Sequence, residues 1–413
     1  MKKSLLALAA MGAFAGAAQA QSSVTVYGII DMGMAGGNSR TANGTDVTKQ
    51  TALGVQQSAQ STSRLGFRGT EDLGGGMRAF FTFETTLRPN NTTATAAEGD
   101  QLSSFNNRQA FVGIAQKGIG QVALGTQQTI IHNVVGRTTA GQQNNLVGDV
   151  IYSIGGGTGG GLAALAGSYG MVNGQSYAVR VNNAITFASD TFAGFQGNAM
   201  LVLSNNNSTQ TGANAGGESN TSGYGLGVNY TWKKLFLTAN YQSFTNALNT
   251  VTPGTSPTTA PSTFTQFSPG QAATRGTNVN DNTVYVAGSY DFGILQAFVG
   301  YINRKVNAEN NNLYFNRYTA QQIGVRSNLT PTVNVFASVG NGSWEQTGYD
   351  LPSAKINGYQ LGSNYMLSKR TNLYAIFGNA SQSNALNSTI NPATARNTSY
   401  NINNYAVGVR HTF

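Results

Sequence analysis

The sequence predicts an all-β fold, a sixteen-stranded antiparallel transmembrane β-barrel, and three observations carry the prediction. Segments of alternating apolar and polar residues recur from near residue 24 to the end of the chain. The connections between them alternate, long then short. Charged residues make up only 9% of the chain, while Gly reaches 52 and there are 18 Tyr and 20 Phe, too many aromatics for a disordered polar chain.

The chain opens "MKKSLLALAAMGAFAGAAQA": Lys2 and Lys3, an apolar run from Leu5 to about Ala18, and the small residues Ala18 and Ala20 flanking Gln19. This reads as a cleaved secretory signal over 1–20, leaving 21–413 as a single outer-membrane barrel domain. No later run reaches the roughly 18 apolar residues of a membrane helix. With no cysteine, stability must come from a core or from backbone pairing.

The clearest pair of strands lies in "YGLGVNYTWKKLFLTANYQ". Tyr224, Leu226, Val228, Tyr230 and Trp232 share one face, opposite Gly225, Gly227, Asn229 and Thr231. After Lys233 and Lys234, the apolar set Leu235, Leu237, Ala239 and Tyr241 opposes Thr238, Asn240 and Gln242. That is a hairpin with one oily and one wet side.

Sixteen such segments are predicted, at 24–34, 61–70, 77–88, 105–115, 120–128, 176–189, 194–204, 222–232, 235–245, 282–290, 294–304, 317–328, 332–342, 356–366, 372–381 and 401–413. Long connections fall at 35–60, 89–104, 129–175, 205–221, 246–281, 305–316, 343–355 and 382–400, with short ones between. Outer-membrane barrels are built this way, with short periplasmic turns and long outer loops. Closure removes the unpaired edge that hydrocarbon does not tolerate. A soluble sandwich would bury its apolar faces against each other without requiring that alternation.

The chain ends "NNYAVGVRHTF", where Tyr405, Val407, Val409, His411 and Phe413 share a face. Together with "SRLGFRGTEDLGGGMRAFFTFE" (63–84), "FNNRQAFVGI" (105–114), "VRVNNAITF" (179–187) and "LSKRTNLYAIF" (367–377), it resembles the general diffusion porins of β-proteobacteria. The resemblance runs over the whole chain after the signal. It implies a homotrimer of barrels, each with a long third loop (here 129–175) folded into the lumen. It also implies that Phe413 marks the strand read by the outer-membrane assembly machinery.

The same resemblance implies a pore constriction at Arg64, Arg108 and Arg180; Arg78, which shares its strand face with Thr82 and Glu84, and the loop carboxylate Asp149 are further candidates. Parity supports Arg180 and Arg64 best, since each shares the polar face of its strand. The chain departs from the family pattern at Gly125-Thr126-Gln127, where an arginine is usual in place of Thr126, and in the single acidic residue of 129–175. Arginines facing one carboxylate in a low-dielectric tube predict preference for anions. The partners implied are small hydrophilic solutes and ions, outer-membrane lipid and lipopolysaccharide.

No cofactor is expected. "GGGTGGG" (155–161) lacks the Lys-Ser/Thr ending of a phosphate loop. His132 and His411 are far apart with no cysteine beside them, which argues against a metal site. No Lys/Arg run accompanies the net charge of +9, so no nucleic acid is expected. A barrel enzyme would need a Ser-His or Asp-His constellation near a rim, which two separated histidines do not offer. A substrate-selective channel, or a surface-displayed adhesive or structural barrel, stands as the alternative.

Overall fold

The computed structural model describes residues 23–43, 46–89, 108–152, 176–208, 217–250, 277–308, 315–346, 353–385 and 398–413. The signal segment 1–20 and the glycine run 155–161 lie outside the described residues. Among those described, no helix is long and apolar enough to cross a membrane. The crossing elements are strands.

These are β1 (Ser23–Asn43), β2 (Asp46–Gln57), β3 (Arg64–Gly74), β4 (Met77–Thr86), β5 (Gln109–Gln116), β6 (Gly120–Gln128), β7 (Arg180–Ser189), β8 (Phe195–Ser208), β9 (Gly217–Trp232), β10 (Leu235–Thr250), β11 (Thr277–Asp291), β12 (Gln296–Ala308), β13 (Phe315–Asn328), β14 (Val333–Gln346), β15 (Ala354–Met366), β16 (Thr371–Ala385) and β17 (Thr398–Thr412). Among the described residues a helix, α1 (Ile130–Thr138), follows β6. Each strand pairs antiparallel with its neighbours, and β1 pairs with β17 to close the sheet.

Seventeen segments make sixteen barrel positions, because β2 and β3 share one edge of β1. β2 runs opposite Met32–Asn43 and β3 opposite Ser23–Ile29. Between them the chain leaves the sheet at 58–63, with Ser58 at φ 64°. Asp31 holds this excursion: its Oδ2 accepts the N–H groups of Gln60 (2.8 Å) and Ser61 (2.6 Å). Its Oδ1 accepts the Tyr374 hydroxyl at 2.6 Å.

The predicted loop over 35–60 is corrected, since 35–43 and 46–57 are paired strand. β9, β10 and β11 likewise extend about five residues past their predicted outer ends. Beyond the lipid both faces are wet, so "GGNSRTAN" carries no alternation, yet its backbone groups still require partners. The neighbouring strand supplies them.

Outward positions carry Val24, Val26, Met34, Leu53, Val55, Ile114, Leu226, Val299, Ile323, Leu361 and Val407, all exposed on the barrel wall. Inward positions carry buried polar groups such as Gln242, Thr283, Gln322 and Gln360. Lipid outside and water inside require this division. On the short-turn side, Gly74, Gly75 and Gly76 all have positive φ, which glycine adopts without a side-chain clash.

Candidate functional site

The 129–152 segment is the principal non-sheet structure among the described residues. Thr129 caps α1, its hydroxyl accepting the His132 N–H at 3.3 Å and donating to the Ala178 carbonyl at 2.6 Å. Such a cap satisfies helix N–H groups that have no partner within the helix. The apolar residues Ile130, Ile131, Val134 and Val135 then pack with Met200, Phe236, Phe244 and Tyr285 on inward positions of β8, β10 and β11. The Arg137 guanidinium lies 3.8 Å from the centre of the Phe236 ring.

Past the helix, the chain follows the inner face of β13 to β16. Arg326 donates to the Ala140 carbonyl. Gln360 donates to Leu146 O (2.9 Å) and Val147 O (3.0 Å), and Tyr318 to Val150 O (2.6 Å). The backbone comes this close because the wall presents glycines there. A Cβ on Gly378 would stand 2.0 Å from Val147 O, and one on Gly358 2.5 Å from Gly148 O. Gly148 itself has φ 102°. Inward aromatics that parity alone assigns to open lumen, Tyr285, Tyr318 and Trp344, are thereby buried.

The three predicted arginines lie on the arc of wall away from that contact. Arg64 opens β3, Arg180 opens β7, and Arg108 immediately precedes β5. The register sets them at one level: Arg64 stands opposite Thr86, Glu84 opposite Gln109, and Arg180 opposite Gln128. Alternate strands lie about 10 Å apart, so the guanidinium groups converge.

Glu84, at an inward position of β4, is the acid among them. Arg108 donates from Nε to Glu84 Oε1, and both side chains are almost fully buried. Arg64 NH1 lies 3.9 Å from Glu84 Oε2, which also accepts the Tyr27 hydroxyl at 3.2 Å. The 58–63 excursion steers Arg64, whose Nε donates to Thr62 O (2.9 Å) and whose NH2 donates to Ser61 Oγ (3.1 Å). Arg180 is within electrostatic reach of Glu84, Arg108 and Arg64, and its Nε is buried without a hydrogen-bond partner. Three cations and one carboxylate leave a local excess of positive charge.

The loop faces this cluster with His132 and Tyr152, whose rings stack at 5.9 Å. Tyr152 lies within electrostatic reach of all three arginines. His132 Nδ1 is 3.1 Å from the Tyr177 hydroxyl. Burial, reinforced by Arg180, Arg108 and Arg64, holds His132 well below the usual imidazole range.

The two remaining candidates lie elsewhere. Asp149 is buried within the loop, its Oδ1 accepting the N–H groups of Ile151 (2.8 Å) and Tyr152 (2.9 Å). Burial pushes its carboxyl above the ordinary value. Arg78 stands opposite Asp72 beside the short turn into β4, about 20 Å along the strand from Glu84. Glu84 itself was recognisable only as an inward residue of its strand. Its partnership with Arg108 depends on the β4–β5 register.

A family model described as Gram-negative porin matches residues 7–385. An outer membrane porin protein of Bordetella pertussis is 28% identical over 409 residues, covering 91% of this chain and 93% of that protein. The major outer membrane protein P.IB of Neisseria lactamica is 26% identical over 417 residues, covering 100% of both. Among solved structures, the anion-selective porin from Comamonas acidovorans has the same fold, with a TM-score of 0.64 at 20% identity over 95% of this chain and 100% of that one. A sixteen-position barrel closed by its first and last strands, matched along most of its length by that family model, belongs to the Gram-negative porins of the outer membrane.

Proposed function

We propose that the chain forms a water-filled channel for passive diffusion of small hydrophilic solutes, prefers anions to cations, and is narrowed by its third loop within the lumen. The observation that carries this reading is the Arg64–Arg108–Arg180 arc with a single carboxylate, Glu84, among its members. The 129–152 segment supports it by packing against the inner face of β8 to β16, so the passage is bounded by the arginine arc on one side and by His132 and Tyr152 on the other. In a low-dielectric tube an excess of two positive charges raises the local anion concentration and opposes cations.

The solved porin of the same fold is itself named anion-selective. Diffusion through such an opening needs no catalytic group, and the reading assigns none. The family resemblance adds a homotrimer, and Phe413 as the residue read during assembly. Single-channel recording in a planar bilayer under a salt gradient tests the proposal. Stepwise conductance with an anion-directed reversal potential is the expected result. A cation-directed potential would refute the selectivity, and a folded barrel that conducts nothing would refute the channel.

A further inference from the structure

We propose that Asn145 of the inner loop sets the ion selectivity of the channel by positioning the Arg64 guanidinium through Thr62, a role that rests on the arginine arc being the constriction. Residues 58–63 lie outside the sheet, so their backbone groups need partners from elsewhere. Asp31 supplies the wall side: its carbonyl accepts the Ser58 N–H at 2.8 Å, and its carboxylate accepts those of Gln60 and Ser61. Asn145 supplies the lumen side. Its N–H donates to Ala59 O (3.0 Å), and its side-chain Nδ2 donates to Ser58 O (2.7 Å) and Thr62 Oγ1 (3.2 Å).

Thr62 is where the loop and the arginine meet. Its hydroxyl oxygen accepts from Asn145 while its carbonyl accepts from Arg64 Nε at 2.9 Å, and the adjacent Ser61 Oγ accepts from Arg64 NH2 at 3.1 Å. The loop end is itself anchored. Asn144 and Gln360 exchange two amide hydrogen bonds (2.8 and 3.1 Å), and Asn144 Oδ1 accepts the Leu146 N–H at 3.1 Å. Ala59 and Leu146 pack in one buried cluster with Ala140 and Phe336. A continuous series of contacts thus runs from Gln360 on β15 through Asn144, Asn145 and Thr62 to Arg64 on β3.

That series decides how far the Arg64 charge is neutralised. Held by Thr62 and Ser61, its NH1 stays 3.9 Å from Glu84 Oε2, beyond hydrogen-bond distance, and Glu84 is occupied by Arg108 and Tyr27. The Arg64 side chain is 21% exposed, whereas those of Arg108 and Glu84 are 6% and 4% exposed, so Arg64 presents more of its charge to the passage than Arg108 does. A loosened 58–63 segment frees the guanidinium to close on Glu84, and a paired charge attracts anions less. Replacing the Asn145 amide therefore acts on selectivity at a distance, with no ionisable group changed.

The test uses folded full-length protein in a planar bilayer, with reversal potentials in about 0.1 M salt and conductance in about 1 M salt, where a Debye length of roughly 3 Å screens charge effects. Arg64→Gln is expected to lower the anion-to-cation permeability ratio about fivefold, and Asn145→Leu, which keeps the volume but donates nothing, about twofold with the conductance step unchanged. Thr62→Val should match Asn145→Leu, and Thr62→Ser, which retains the hydroxyl, should match wild type. In the Arg64→Gln background neither Asn145→Leu nor Thr62→Val should lower the ratio further. An undiminished ratio in Asn145→Leu, or a loss that persists without Arg64, overturns the proposal. If Asn145→Leu does not give the folded, heat-modifiable form, Thr62→Val with and without Arg64→Gln decides in its place. No change in Arg64→Gln itself would instead refute the constriction reading on which the role depends.

Discussion

Phe413 and Gly28 exchange two backbone hydrogen bonds, each 3.1 Å, and the Phe413 ring covers the position where a side chain on Gly28 would begin. Closure of the barrel thus extends to its last residue. An unclosed edge in hydrocarbon would leave a row of backbone groups without partners.

Gly28→Val places a Cβ about 2.3 Å from that ring and 2.6 Å from the Arg64 carbonyl oxygen. The variant should lower the urea midpoint of heat-modifiable migration by an amount equivalent to about 1–3 kcal/mol. Phe413→Ala, which leaves the backbone bonds in place, should reduce folded protein in cells more than it reduces refolding yield in detergent. Equal losses in the two assays would leave Phe413 with a structural role alone.

Arg180 is the arginine of the arc whose Nε has no hydrogen-bond partner. Arg180→Gln should lower the anion-to-cation permeability ratio about fivefold, the equivalent of about 1 kcal/mol for one charge a few ångströms from the ion path. Glu84→Gln should raise the ratio by a similar factor while destabilising the wall, because Arg108 is left buried without its counter-charge. Both effects should shrink as ionic strength rises. Reversal potentials at about 0.1 M and about 1 M salt, where the Debye length is roughly 10 Å and 3 Å, check the pair of expectations.

Gly378→Ala should lift residues near Val147 from the wall, since the new Cβ would meet a backbone oxygen that cannot rotate away. The expected outcome is an increase in open-channel current noise without loss of the folded barrel. Gly197→Ala, where a Cβ meets only the Ser189 hydroxyl at 3.8 Å, serves as the control and should behave as wild type.

His132 makes docking of α1 dependent on pH. Its folded-state value is depressed by burial and by Arg180, Arg108 and Arg64. The unfolded or undocked ring therefore takes up a proton more readily than the docked ring. Stability from the neutral ring is fully present above the unfolded value of about 6.5 and is lost progressively as pH falls below it. Current noise should rise between pH 7 and pH 5 in the wild type. His132→Gln, which retains an acceptor for the Tyr177 hydroxyl, should flatten that rise.

The sequence by itself determined the strand count, the alternation of long and short connections, and the outward apolar face, because a period of two beside lipid is a local property of each segment. Family resemblance pointed to Arg64, Arg108 and Arg180, and strand parity supported Arg180 and Arg64 among them. The alternation rule misread as loop the outer half of β1, all of β2 and the outer ends of β9 to β11, where water bathes both faces and no alternation is required.

Only the tertiary structure decided which inward residues meet. Glu84 finds Arg108 through the β4–β5 register, Asp31 holds the 58–63 excursion that aims Arg64, and Gly358 and Gly378 leave room for the backbone near Gly148. It also set Asp149 to holding a turn and buried Tyr318 and Trp344 beneath the loop. Each of these depends on contacts between residues distant in sequence, which parity within one strand does not encode.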